Sequence, residues 1–216
     1  MSSPTVTPRL LGVPESNVVW SVRIALAEKG VPVAHVPADP HSPEVRAIHP
    51  LGKIPVFEHG SVRLAESRAI CAYVDDAFEG PPLVPAGLVE RATAEQWVSI
   101  ALTDLDPVAV RRFLFLYLFP ADPAAGPDPA AIAAALPTVR GRLLAWDAAV
   151  AAHGGYVAAP AWTLADAYAT PIIAYLRNLP EGPALFEATP ALRGWFERVS
   201  ARPSFAATLP ELAKPR

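Results

Sequence analysis

Two short stretches of this 216-residue sequence place groups capable of chemistry at strand and helix ends. In Lys53-Ile54-Pro55-Val56 a proline interrupts what otherwise reads as a strand. Proline donates no ladder hydrogen bond, so it marks a sheet edge, a bulge or a cis peptide. A cis arrangement would turn the Ile54 N–H and C=O outward to pair with an extended, peptide-like ligand, in the manner of strand addition. An ordinary edge proline would serve the sheet alone, and the residues leave both readings open. Eleven positions beyond that proline, Glu66-Ser67 opens a predicted helix. Exposed N–H groups and the positive dipole end favour a carboxylate there, while Glu66 offers the opposite charge. The pair suits a ligand with both an α-carboxylate and an α-ammonium, the first on the Ser67 N–H and hydroxyl, the second on Glu66. It equally suits a helix cap with a favourably placed acid.

The elements that must position these groups follow from spacing. Arg9-Leu10-Leu11-Gly12-Val13 reads as a short strand; after Pro14 the apolar positions Val18, Val19, Val22 and Leu26 recur at helical spacing until Gly30. Val31 to Val36 is β-branched and bounded by prolines, a second strand closing a βαβ unit, with Pro32 and Pro37 implying a sheet edge. Two strands over 54–58 and 61–64, joined at His59-Gly60, form a hairpin. Ile70, Val74 and Phe78 then line one helical face, with Tyr73 on an adjacent one, until Gly80-Pro81-Pro82. From 81 to 87 the chain reads as a linker. Helices are expected near 88–118, 129–153, 163–178 and 189–201, with Pro107 kinking or dividing the first.

Composition removes whole classes of function. A net charge of −3 is too small and of the wrong sign for a phosphate-backbone binder, so no nucleic-acid partner is expected. With 52% hydrophobic residues the chain can bury a full core, which excludes wholesale disorder. The longest Ala-rich tract, Pro129 to Leu136, falls far short of the ~20 apolar residues of a membrane span. Met1-Ser2-Ser3-Pro4 lacks a basic region followed by an apolar one, so a cytoplasmic location is expected. The single cysteine, Cys71, reads as a small buried side chain. His35, His59 and His153 have no partners at metal-ligand spacing and read as turn or surface histidines, so no metal is expected.

Together these segments resemble soluble glutathione transferases. The resemblance rests on His49-Pro50-Leu51-Gly52-Lys53-Ile54-Pro55-Val56 and on Leu64-Ala65-Glu66-Ser67-Arg68-Ala69-Ile70 with Tyr73. It continues through Leu105-Asp106-Pro107 and through Thr163-Leu164-Ala165-Asp166, a capping-box pattern. His49 stands where the family commonly has asparagine, a departure expected to affect the local turn more than glutathione contacts. The resemblance implies an α/β thioredoxin-like N-terminal domain (residues 1–80), an all-α helical domain (88–216), glutathione as co-substrate and a homodimer.

The run Pro14-Glu15-Ser16-Asn17-Val18-Val19-Trp20 looks like the serine-type first helix of the phi and zeta classes, which implies Ser16 as the catalytic residue. A cysteine-like thiol with a pKa near ~8.5 is only a few per cent thiolate around neutrality. A hydroxyl donor and a helix N-terminus stabilise the sulfur anion and not the neutral thiol. The competing role for Ser16 is helix capping, and the two can coexist because one uses the oxygen as acceptor and the other the O–H as donor. Asn17 is an alternative donor, and Ser21 lies one turn further in. The resemblance also implies Ile54 and Pro55 against the tripeptide backbone, Glu66 and Ser67 at its γ-glutamyl end, and His41 and Lys53 near its glycyl and cysteinyl parts. For a small, partly apolar electrophile the expected residues are Val13, Pro14, Phe113, Phe115 and Tyr117. A zeta-like glutathione-dependent isomerase and a non-catalytic transferase-like binding module are the alternatives.

Overall fold

Leu10 and Leu11 seed a mixed four-stranded sheet. The computed structural model describes residues 6–213; the Met1-Ser2-Ser3-Pro4 segment lies outside them. Strand β1 (Arg9–Leu11) pairs in parallel with β2 (Ala34–Val36) and antiparallel with β3 (Val56–His59), which pairs antiparallel with β4 (Val62–Ala65). The registers Leu11↔Val36 and Leu11↔Val56 put these apolar residues on one face, where they pack with Val45 and Ala38. Val45 comes from the short α2 (Pro43–Arg46). Leu10 lies opposite Phe57 on the other face, and both are wholly buried. The β2 strand occupies the edge, as its flanking prolines require, and is shorter than the run 31–36. Val31 is taken up by the end of α1 (Asn17–Glu28): the Gly30 N–H bonds the Ala27 carbonyl and the Val31 N–H the Leu26 carbonyl. This is a Schellman closure with Gly30 at positive φ.

Helix α1 buries Val19, Trp20, Val22, Ile24 and Leu26, and α3 (Ser67–Ala77) buries Ile70, Cys71 and Val74. The Ile54–Pro55 bond that leads into β3 is cis. Two compact units divide between Leu83 and Val84. The segment before that point is bound into the first unit, because Asp75 Oδ1 accepts from both the buried Lys29 ammonium (2.7 Å) and the Leu83 N–H (2.9 Å). Chain order places everything after 88 in one helical part, yet α10 (Pro203–Thr208) packs on α1 in the first unit. There Thr208 Oγ1 accepts from the Trp20 indole N–H at 2.9 Å, and Phe205 lies against the Trp20 ring.

In the second unit, Leu88 to Leu118 is one unbroken helix in three parts: α4 (Leu88–Ile100), a wide π-helical stretch (Ala101–Leu114) and α5 (Phe115–Leu118). Pro107 therefore lies inside the helix and does not divide it. A proline lacks the N–H of the ladder and crowds the carbonyl four residues back, and the π winding accommodates it. Arg111 Nε donates to Asp106 Oδ2 at 3.1 Å, a pair five residues apart as that winding dictates. Helix α6 (Pro129–Ala152) starts at Asp128, whose side chain accepts from the Ala130 N–H. Helix α7 (Leu164–Arg177) is buried throughout Leu164 to Leu176, and the π stretch, α4, α8 (Gly182–Glu187) and α9 (Pro190–Ser200) pack around it. Among the described residues no helix is long and apolar enough to cross a membrane.

The junction of this unit is Asp166, wholly buried in a capping box with Thr163. Its Oδ1 accepts from the Val157 N–H (3.0 Å) and the Trp195 indole (2.7 Å). Its Oδ2 accepts from the Thr163 N–H (2.7 Å) and hydroxyl (3.1 Å). Burial pushes this carboxyl upward, and the four donors oppose that shift. Asp166→Asn can keep its oxygen on Val157 and Trp195 but turns an NH2 toward Thr163, whose hydroxyl can rotate to accept while its N–H is left without an acceptor. Urea unfolding is expected to show a loss of about 2 kcal/mol, at 1–3 kcal/mol for an orphaned group. A loss below about 1 kcal/mol, the ordinary scale of a point substitution, would refute this role.

Candidate functional site

The loop from β1 to α1 turns at Gly12, which has φ +153. A Cβ there would lie 2.6 Å from Val19 Cγ2 and 3.2 Å from Ile54 Cβ, so only glycine lets the loop pass between α1 and the 54–55 segment. Its N–H bonds the Val36 carbonyl (3.1 Å) and its carbonyl is held by His35 Nε2 (2.9 Å). His35 is therefore no plain surface histidine. It anchors the loop that carries Val13, Pro14 and Ser16, all partly exposed.

Ser16 stands at the N-cap of α1 with φ −66 and ψ 123, and its side chain makes no capping hydrogen bond. Its N–H bonds the Val13 carbonyl, which tightens the loop, and its carbonyl accepts from the Trp20 N–H. The two alternative donors lie deeper: Asn17 is 5% exposed, and the Ser21 hydroxyl, 1% exposed, already donates to the Asn17 carbonyl. Of the three, Ser16 presents its hydroxyl most openly at the start of the helix.

The second part of the site surrounds Gly52. His41 has φ 66, donates its N–H to the Gly52 carbonyl at 2.7 Å, and has its ring over Gly52, where a Cβ would lie 2.5 Å from Nδ1. Lys53 follows, exposed, and then Ile54 and Pro55 beside the Gly12 loop. Glu66 is the N-cap of α3, with φ 67 and no side-chain cap, and Ser67 is the first, buried residue of that helix. Among the described residues, His41 and Glu66 are the two non-glycine residues at positive φ. Such strain gathers at binding sites, where the surrounding structure holds the residue in place. No three His, Cys, Asp or Glu side chains among the described residues come together as a metal-binding group.

One contact was not anticipated. His49, 4% exposed, accepts the Leu51 N–H on Nδ1 (3.1 Å), the turn role expected of it, and also reaches Glu66 Oε1 with Nε2 (3.3 Å). The only signal in the sequence was a histidine where the family commonly has asparagine; Glu66 lies 17 residues further on.

The aromatic residues of the second unit are tied up in different ways. Phe113 is fully buried, with Tyr117 edge-on at 5.9 Å, so it is a core residue and not part of a binding wall. The alternating aromatics could not share one helical face, and this one turned inward. Phe115 lies under the Arg111 guanidinium and against Phe119. The Tyr117 hydroxyl donates to Glu181 at 2.6 Å, and burial together with that carboxylate raises its pKa.

Residues 10–82 match the model of the glutathione S-transferase N-terminal domain, and residues 111–203 that of the glutathione S-transferase C-terminal domain. Glutathione S-transferase 3 of Zea mays is 31% identical over 214 residues, covering 96% of this chain and 95% of the maize protein. The crystal structure of glutathione transferase F7 from Populus trichocarpa superposes with a TM-score of 0.83 at 27% identity, over 96% of this chain and 99% of its own. A theta class glutathione S-transferase from Xanthomonas axonopodis pv. citri, crystallised with glutathione bound, superposes with a TM-score of 0.80 at 25% identity, over 96% of this chain and 99% of its own. The chain belongs to the glutathione S-transferase family, with a thioredoxin-like N-terminal and a helical C-terminal domain.

The environment of His35 makes a stability prediction. Burial lowers its pKa below 6.5 and the nearby Arg23 charge adds to this, outweighing the Gly12 carbonyl and Glu15. The folded protein thus binds the His35 proton less readily than the unfolded chain. The contribution to stability is complete above pH 6.5 and is lost as pH falls from there through the lower folded value. His35→Gln is expected to shrink the drop in urea midpoint between neutral and mildly acidic pH. An equal drop in both proteins would show that His35 is not its source.

Proposed function

We propose that this chain binds glutathione and activates its thiol as a thiolate for addition to small apolar electrophiles, with Ser16 as the donor to the sulfur. The observation that carries this reading is the uncapped Ser16 hydroxyl at the N-terminus of α1, in a loop packed beside Ile54. Glutathione's thiol titrates near ~8.5 when unperturbed. Lowering that by ~2 units takes about 2.7 kcal/mol of preference for the charged form. A hydroxyl donor and a positive helix end both act on the anion alone, so they supply that preference without a base.

The remaining residues take parts that match their chemistry. Ile54 and Pro55 offer backbone to an extended tripeptide. The N–H groups of Ser67 and its neighbours, with no side-chain cap over them, suit the α-carboxylate of the γ-glutamyl group, and the Glu66 carboxylate suits its ammonium. His41 and the exposed Lys53 suit the glycyl carboxylate and the flanking backbone. Val13 and Pro14, on the same loop as Ser16, give an electrophile an apolar approach to the sulfur.

The test is a titration of the bound thiol by its thiolate absorbance, with conjugation to an aryl halide followed in parallel. Ser16→Ala is expected to raise the bound thiol's pKa and slow conjugation roughly ten- to hundredfold, from about 1.5–3 kcal/mol for a charge-assisted hydrogen bond. An unchanged pKa and rate would overturn the role of Ser16. A protein that does not bind glutathione would overturn the function.

A further inference from the structure

His49 occupies a position that a simple turn residue would leave half used. Its backbone is held on both sides, the N–H on the Val45 carbonyl and the C=O by the Gly52 N–H, each at 2.8 Å. With Nδ1 accepting from Leu51 N–H, the ring carries its proton on Nε2, and that N–H points at Glu66 Oε1. An asparagine here, as in the family pattern, ends about where the imidazole has Nδ1. It can accept from Leu51 and keep the turn, but its side chain stops short of Glu66. The histidine ring thus adds a second contact to a turn that did not require one.

The receiving residue is one that gains from being held. The Glu66 side chain is 72% exposed at a strained N-cap, where a free glutamate samples many rotamers. A donor from a buried ring selects the rotamers that keep Oε1 against His49. Ordering a side chain before the ligand arrives removes that cost from binding. The bond joins an N–H to an ionised carboxylate, which makes it charge-assisted, but at 3.3 Å with an exposed acceptor its effect is moderate.

We propose that His49 is a positioning residue that fixes the Glu66 carboxylate for the α-ammonium of the γ-glutamyl group, and so sets how strongly this protein selects thiol tripeptides carrying that amine. The inference rests on the glutathione reading of the site. It predicts a selectivity for one functional group of the ligand, which loss of a turn would not produce.

The probes are glutathione and γ-deaminated glutathione (glutaryl-cysteinyl-glycine), the same tripeptide without the α-amino group, measured by calorimetry on the full chain. Wild-type protein is expected to prefer glutathione. His49→Asn, which keeps the turn acceptor, is expected to weaken glutathione roughly three- to tenfold, as befits one ion-ordering contact, while moving the analogue less than about twofold. In conjugation assays KM for glutathione rises and kcat holds. His49→Gln, whose amide nitrogen lies about where Nε2 was, restores part of the preference. In a Glu66→Gln background the His49→Asn change no longer alters the ratio of the two affinities. If His49→Asn weakens both ligands alike, or its effect on the ratio persists without Glu66, the positioning role is overturned while glutathione binding stands. If wild-type protein binds neither peptide, the glutathione reading itself falls and this inference falls with it.

Discussion

The site depends on the narrow passage of the chain at Gly12. The absence of a side chain lets the loop run between Val19 and Ile54, and hydrogen bonds from His35 and to Val36 hold the peptide on either side. This steric constraint puts the start of α1 next to the 54–55 segment. Any Cβ at residue 12 would push the helix opening, with Ser16 on it, away from the groups that would hold a peptide. The chemistry assigned to Ser16 is thus a consequence of packing as much as of its hydroxyl.

Around that passage the molecule keeps local discomfort where a ligand would make use of it. His41 and Glu66 hold φ values that side chains rarely adopt, and two helix openings, at Ser16 and Glu66, lack side-chain caps. Each omission would stabilise the fold if corrected. In the first unit Gly12 lies against Ile54, the His41 ring lies over Gly52, and His49 of the same turn reaches Glu66.

The helical unit is organised differently, around satisfied polar groups inside an apolar core. Asp166 gathers donors from three segments of chain, so α7, α9 and the loop at Val157 are held in one arrangement that apolar packing alone would leave less defined. Phe113 joins that core, while Arg111 links Asp106 to the Phe115 ring. The π winding absorbs Pro107 without breaking the helix.

Features that arise within a few residues of chain were legible in the amino-acid order alone. Apolar spacing, glycine stops and proline punctuation placed most of the strands and long helices, helix-start chemistry pointed to Glu66-Ser67, and the family resemblance pointed to Ser16. The family pattern then assigned them roles. Short helices such as α2, α8 and α10 escaped notice because too few residues recur in them to show a period. Folding of the whole chain was needed to bring α10 back to Trp20, turn Phe113 inward, set His35 on Gly12 and carry His49 to Glu66. Those contacts join residues 17 to 188 positions apart, and no local preference encodes which distant partner a side chain meets once the whole chain is packed.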